Sequence, residues 1–108
     1  MEIYWKSNKI FKKATKLASS DIKAAKKMTN IKAAKDYNDL VFECNGRAHF
    51  LKGKDEGCFA LDVTDKYNPK RYRCKPFGDC EVDPGGNYKK ETITKLIIVD
   101  IINDYHKK

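Results

Sequence analysis

The sequence predicts an α+β domain: a short N-terminal strand, a two-helix hairpin, then a mainly antiparallel sheet of about four further strands with the helices packed on one face. Three observations carry this reading. The chain has 108 residues, which suits a single domain whose one modest core buries roughly 60–70% of the unfolded surface. Apolar residues in the first third recur at helical spacing, and after Asp36 the pattern changes to short runs separated by turn residues. With 41% hydrophobic, 35% charged and 11% aromatic residues, the chain is too polar to span a membrane and too aromatic to be a disordered tail.

Taken in order, Ile3, Tyr4 and Trp5 suggest the first strand, and Ser7-Asn8 ends it while offering a cap for a helix that runs to about Ala18. Ile10, Phe11, Ala14, Leu17 and Ala18 form the expected buried stripe of that helix. Lys9, Lys12, Lys13 and Lys16 fall at i, i+3, i+4 and i+7 on the other side, a basic ridge. Ser19-Ser20-Asp21 interrupts the pattern and caps a second helix through about Lys35, with Ala24, Ala25, Met28 and Ile31 inward and Lys23, Lys26 and Lys27 outward. Beyond residue 36 strands are expected at 47–51, 58–63, 70–75 and 93–102, with a turn at Asn45-Gly46 and a hairpin loop at 53–57. Phe59, Leu61 and Val63 share one face. In the third of these strands Arg71, Arg73 and Lys75 alternate with Tyr72 and Cys74, so one side is strongly cationic, and Pro76 stops it. Residues 77–90, with Pro84-Gly85-Gly86, read as a long loop. The stretch 93–102 is apolar on both faces, as expected of a central strand covered on both sides.

The charge points to a polyanionic partner. Lys plus Arg number 23 against 15 Asp plus Glu, a net +8, with a sequence pI of about 9.3. All of the excess is N-terminal: residues 1–35 hold ten lysines and two acids, whereas residues 36–108 hold thirteen of each sign. No apolar run reaches signal-peptide length or the ~20 residues of a membrane helix, so the cytoplasm is the expected location. The four cysteines have thirteen, fifteen and five residues between them, unlike the close pairs of zinc sites, so no metal and no cofactor are expected. They read as reduced, small hydrophobes, with only Cys80 in an exposed loop.

No phosphate-binding glycine loop, zinc-protease helix, nucleophile elbow or dinucleotide fingerprint is present. The groups suited to chemistry are the two histidines, His49 and His106, together with Asp104, Tyr105, Arg71 and Lys52. If extended geometry continued past Ile102, Asp104 and His106 would share one face and Tyr105 the other.

The run from His49 through Leu51-Lys52-Gly53 to Gly57, then Arg71-Tyr72-Arg73, then terminal Asp104-Tyr105-His106, resembles the HigB branch of the RelE/ParE toxin superfamily over nearly the whole chain. That resemblance implies a single RelE-like domain and the toxin of a bacterial type II toxin–antitoxin module, an endonuclease that cuts mRNA in the ribosomal A site. It also implies a cognate antitoxin, of helix-turn-helix HigA-like type, as protein partner. Carried over, the catalytic set is His49, Arg71, Asp104, Tyr105 and His106. Arg73, two residues on and on the same strand face, competes with Arg71 in register. Lys9, Lys12, Lys13, Lys16, Lys23, Lys26 and Lys27, with Lys52 and Arg73, become expected contacts to RNA or ribosome. The loop 77–90 is longer than the family leads one to expect.

Metal-free RNA cleavage needs a base to deprotonate the ribose 2′-hydroxyl, which attacks the adjacent phosphorus, and an acid to protonate the departing 5′-oxygen. Histidine, with an ordinary pKa of about 6.5, serves either role near neutrality. An arginine suits the charge that gathers on the phosphoryl oxygens, and a tyrosine suits an unstacked base. The alternative is a ParE-like toxin that inhibits DNA gyrase without cutting RNA; a basic RNA-binding module that neither cuts nor kills is a third reading.

Overall fold

A computed structural model describes residues 1–43, 48–50, 57–63 and 70–103, with Glu43, Ala48, His49 and Asn103 described as backbone. The elements run β1 (Glu2–Trp5), α1 (Asn8–Ser20), α2 (Ile22–Ala33), α3 (Tyr37–Glu43), β2 (Ala48–Phe50), β3 (Phe59–Asp62), β4 (Lys70–Pro76), a 3-10 turn (Lys90–Thr92) and β5 (Lys95–Asn103). They form one five-stranded sheet in the order β1-β5-β4-β3-β2. β1 runs parallel to β5, and every other pairing is antiparallel. The α+β class and the mainly antiparallel sheet expected from the sequence are therefore present.

Because side chains alternate across a strand, the register sorts the sheet into two faces. Ile3, Trp5, Leu96, Ile98, Cys74, Tyr72, Phe59, Leu61 and Phe50 share the face that packs against the helices. Tyr4, Ile97, Asp100, Ile102, Arg71, Arg73, Lys75, Ala60 and Asp62 belong to the opposite face, on which no helix packs among the described residues. From the helical side, Ala14, Ala24, Ile31, Tyr37 and Leu40 complete one buried cluster.

Local chemistry fixes the helix ends. Ser7 Oγ accepts from Ile10 N at 3.3 Å at the start of α1, and Asp21 Oδ1 accepts from Lys23 N at 2.9 Å and Ala24 N at 3.3 Å at the start of α2. The small side chain of Ala14 is the fully buried contact of α1. Phe11, expected in the buried stripe, is instead 45% exposed and lies edge-on to Trp5 at 5.3 Å. It sits beside edge strand β1, where the sheet no longer reaches under the helix.

Three expectations need correction. A third helix, α3, occupies residues assigned to the start of the strand region. Asp36 caps it, accepting from Asp39 N at 2.9 Å, and the Asp39 carboxylate accepts from Lys35 N at 2.9 Å. β5 starts at Lys95, because Ile93 is buried at the end of the 3-10 turn. Among the described residues, helices also cover β5 on one face alone. Arg73 pairs with Asp100 but Cys74 with Ile98, so Val99 is an extra residue that lets Ile98 and Ile101 both reach the helical side. The apolar run reflects that bulge, and Ile97, Val99 and Ile102 are half-buried.

Residues 77–90 are folded upon themselves. The Asp83 carboxylate accepts from Gly85 N at 2.9 Å and Asn87 N at 3.0 Å, Gly86 adopts φ 86°, and Val82 bridges Tyr88. Tyr88 stacks on Phe50 at 5.9 Å, which ties the segment to the helical side. Cys58 and Cys74 are buried, whereas Cys80 is half-buried rather than exposed and packs against the core. Among the described residues no helix is long and apolar enough to cross a membrane.

Candidate nucleic-acid interface

Strand β4 builds the cationic face expected of it. Tyr72 and Cys74 turn into the core, and Arg71, Arg73 and Lys75 take the open face. Each arginine meets an aspartate on a neighbouring strand. Arg71 Nε donates to Asp62 Oδ1 at 3.2 Å, from β4 to β3. Arg73 Nη2 lies 3.6 Å from Asp100 Oδ2, from β4 to β5. The Arg71 side chain is the more enclosed, 15% exposed against 31% for Arg73, so its guanidinium is held more firmly against the sheet. Asp62 and Asp100 escape sequence reasoning because their importance depends on cross-strand register, which no local pattern carries.

The backbone of His49 lies in β2 opposite Ala60, and Ala60 is the partner of Arg73. Positions 49, 60, 73 and 100 thus form one row across the sheet, with Asp62, Arg71 and Ile102 forming the next. Lys52, Asp104, Tyr105 and His106 lie outside the described residues. β5 ends at Asn103 paired with Lys70, the residue before Arg71.

The lysines form a second basic surface. Lys9, Lys12, Lys13 and Lys16 on α1 and Lys23 and Lys26 on α2 are exposed, and Lys27 is half-buried. Since α1 and α2 cover the face opposite Arg71 and Arg73, this ridge and the arginine row stand on different sides of the sheet.

Between them, Tyr72 is the largest fully buried side chain among the described residues. Its hydroxyl has no hydrogen-bond partner among the described residues, and burial pushes its pKa up to about 12. The Cys80 thiol is also raised, first by burial and then by the Asp79 carboxylate, which disfavours the thiolate. Among the described residues no group of three or more His, Cys, Asp or Glu side chains is placed to hold a metal ion. The arrangement therefore offers fixed guanidinium groups on an open sheet face and a broad ammonium-bearing surface behind it, both suited to phosphate. Comparison with protein-family models, with curated proteins and with solved structures finds no match.

Proposed function

We propose that this chain is the toxin of a bacterial type II toxin–antitoxin module, a cytoplasmic endonuclease that cuts mRNA in the ribosomal A site and is neutralised by a HigA-like helix-turn-helix antitoxin. The observation that carries the reading is the row-by-row placement of Arg71, Arg73 and position 49 on one open sheet face. Segments distant in sequence, each of which resembles part of a HigB-type site, meet there.

In this mechanism His106 is the principal acid or base, oriented by Asp104, and His49 is the second proton-transfer group or a phosphate ligand. The 2′-oxygen loses its proton to the base and bonds to phosphorus, the bond to the 5′-oxygen breaks, and the acid protonates that oxygen. The Arg71 guanidinium, steadied by Asp62, donates to the phosphoryl oxygens as negative charge builds on them. Tyr105 stacks on an unpaired base. Lys52, Arg73 and the helix lysines supply salt-dependent attraction to RNA phosphates.

The test is controlled induction in bacteria of the wild type and of His106→Ala, with growth followed and mRNA 5′ ends mapped. Cleavage within translated codons by the wild type alone is the expected result. Growth arrest with no new ends, unaltered by the substitution, would transfer the reading to a gyrase inhibitor. Harmless overexpression would reject both.

A further inference from the structure

The open face of the sheet carries an aromatic pair that the proposed reaction does not use. Tyr4 on β1 stands in register with Ile97 on β5, and Ile97 with Lys75 on β4, so Tyr4 and Lys75 share the face of Arg71 and Arg73. Phe77 follows Pro76, and its backbone N–H donates to Lys95 O at 3.0 Å, which prolongs the β4 ladder by one residue. Its ring reaches over β5 to Tyr4, with the centroids 4.6 Å apart and the planes inclined at 42°. Both rings stay open to solvent, Tyr4 at 37% and Phe77 at 39%.

The pair is held in place from one side. The Tyr4 hydroxyl donates to Glu2 Oε1 at 2.9 Å, and Lys95 Nζ lies 3.8 Å from that same oxygen, so the carboxylate beside the rings is met by an ammonium group. The Lys95 stem runs against Gly78, where a Cβ would stand 3.2 Å from Lys95 Cδ and where φ is 83°. Along β4, Arg71, Arg73, Lys75 and Phe77 follow at every second residue on one face, about 6.6 Å per step and roughly 20 Å in all. Arg71 and Arg73 carry Asp62 and Asp100 beside them, and Lys75, next to the rings, is exposed. That step is close to the reach of one extended nucleotide. A line of basic side chains that ends in exposed rings suits a single strand, whose phosphates meet the cations while an unstacked base lies on an aromatic face. A second copy of a chain of net charge +8 is a poor occupant of the same face.

We infer that Tyr4 and Phe77 form a stacking platform for one base of a single-stranded RNA laid along β4, with Lys75 on the adjoining phosphate. The platform stands at the end of β4 away from the Lys70–Asn103 pair, about three nucleotides along the strand from Arg71. It is therefore a second base site, separate from the one assigned to Tyr105, and it holds the substrate at a distance from the bond that breaks. The choice of RNA rests on the endonuclease reading; the stacking rests on the rings.

The test titrates the full chain with two fluorescent oligomers of equal length: a 2′-O-methyl uridine strand, which cannot be cut by 2′-hydroxyl attack, and the same backbone without bases. The ratio of the two affinities measures what the bases contribute. In Phe77→Ala that ratio is expected to fall about 5–150-fold, the loss of one base–aromatic stack. Phe77→Leu, which keeps apolar volume without an aromatic face, lowers it too. Phe77→Tyr keeps it, and Phe42→Leu, the same change at an exposed residue of α3, leaves it as in the wild type. Lys75→Gln weakens both oligomers alike and makes the plot of log affinity against log salt shallower by about 0.7, the increment for one phosphate contact on a single strand. Thermal melts show whether each variant folds, and the unaltered chain supplies a second measurement: a thiouridine oligomer crosslinked by ultraviolet light labels the peptide that carries Tyr4 or the one that carries Phe77. An unchanged ratio in folded Phe77→Leu, or no label on either peptide, overturns the inference. If Phe77→Leu alters the sedimentation of the chain alone while the ratio stays put, the rings join two copies and the RNA assignment falls. Base-dependent binding through Phe77 with no cut mRNA in cells would reject the endonuclease reading and leave the platform standing; intact cleavage with a ratio indifferent to Phe77 would do the reverse.

Discussion

Arg71 and Asp62 face each other across β4 and β3, and the guanidinium donates to the carboxylate through Nε at 3.2 Å. Anchoring through Nε fixes the plane of the fork, so the direction of the terminal nitrogens is set before any phosphate arrives. Arg71→Ala is therefore expected to lower ribosome-dependent mRNA cleavage roughly 10²–10³-fold, the usual cost of losing one transition-state donor. Asp62→Asn keeps the size of the anchor but not its charge, and is expected to cost on the order of tenfold through misalignment. Single-turnover cleavage on programmed ribosomes measures both, and wild-type rates in Arg71→Ala would remove Arg71 from the site.

Tyr72 makes a prediction about stability that is independent of function. Its buried hydroxyl has no partner among the described residues, so Tyr72→Phe is expected to be neutral or to stabilise by up to about 1–2 kcal/mol. The pH dependence follows from its pKa of about 12 against the ordinary 10.0. A phenol whose folded pKa is raised contributes fully below the unfolded value, and that contribution is lost as pH rises from about 10 through 12. Urea melts between pH 8 and 11.5 should show the wild type losing stability at the alkaline end, with a smaller loss in Tyr72→Phe. Parallel declines in the two proteins would contradict the assignment.

The capping aspartate of α3 is open to an equally direct check. Asp36→Ala removes the acceptor for Asp39 N and is expected to cost about 1 kcal/mol, whereas Asp36→Ser, another capping residue, costs only a few tenths. Chemical denaturation of the two variants beside the wild type decides it, and equal midpoints for Ala and Ser would mean that the cap contributes nothing to α3.

What the sequence made legible was whatever local periodicity encodes. The stripes of α1 and α2, the alternation of Arg71 and Arg73 with Tyr72 and Cys74, and the strand around Phe59 all follow from spacing alone. α3 was hidden because seven residues give barely two turns of pattern, although Asp36 with Asp39, followed by Leu40 and Val41, is a capping signal in front of an apolar pair. The bulge at Val99 was hidden for a different reason: seven apolar residues within ten positions look alike whether a strand is covered twice or switches faces once. In the candidate site, the arginines were legible and their aspartates were not, since Asp62 and Asp100 matter only through pairings between strands. The separation of the lysine ridge from the arginine row was equally invisible, because it depends on which face of the sheet the helices choose.

Phe50 connects the folded segment 77–90 to the row that contains position 49. Its ring lies 5.0 Å from Tyr37, 5.5 Å from Phe59 and 5.9 Å from Tyr88, with Lys90 Nζ 5.9 Å above it. Among the described residues β2 is an edge strand with three paired residues, so this aromatic cluster adds to its hydrogen bonds in holding it in register. Because Phe50 is half-buried, Phe50→Ala is expected to cost about 2–3 kcal/mol, below the ~3–5 kcal/mol of a fully enclosed phenylalanine. Its effects should be local as well as global. Losing the stack under Tyr88 frees the segment that carries Lys89 and Lys90, so trypsin should cut there faster than the change in overall unfolding explains. Phe50→Leu, which keeps most of the apolar volume, should retain most of the stability yet still lower mRNA cleavage, because it loosens β2 and with it the placement of position 49 against Arg73. Trypsin rates at Lys89 and Lys90 that follow global unfolding alone, together with full cleavage activity in Phe50→Leu, would show that the cluster holds the core and has no part in positioning the site.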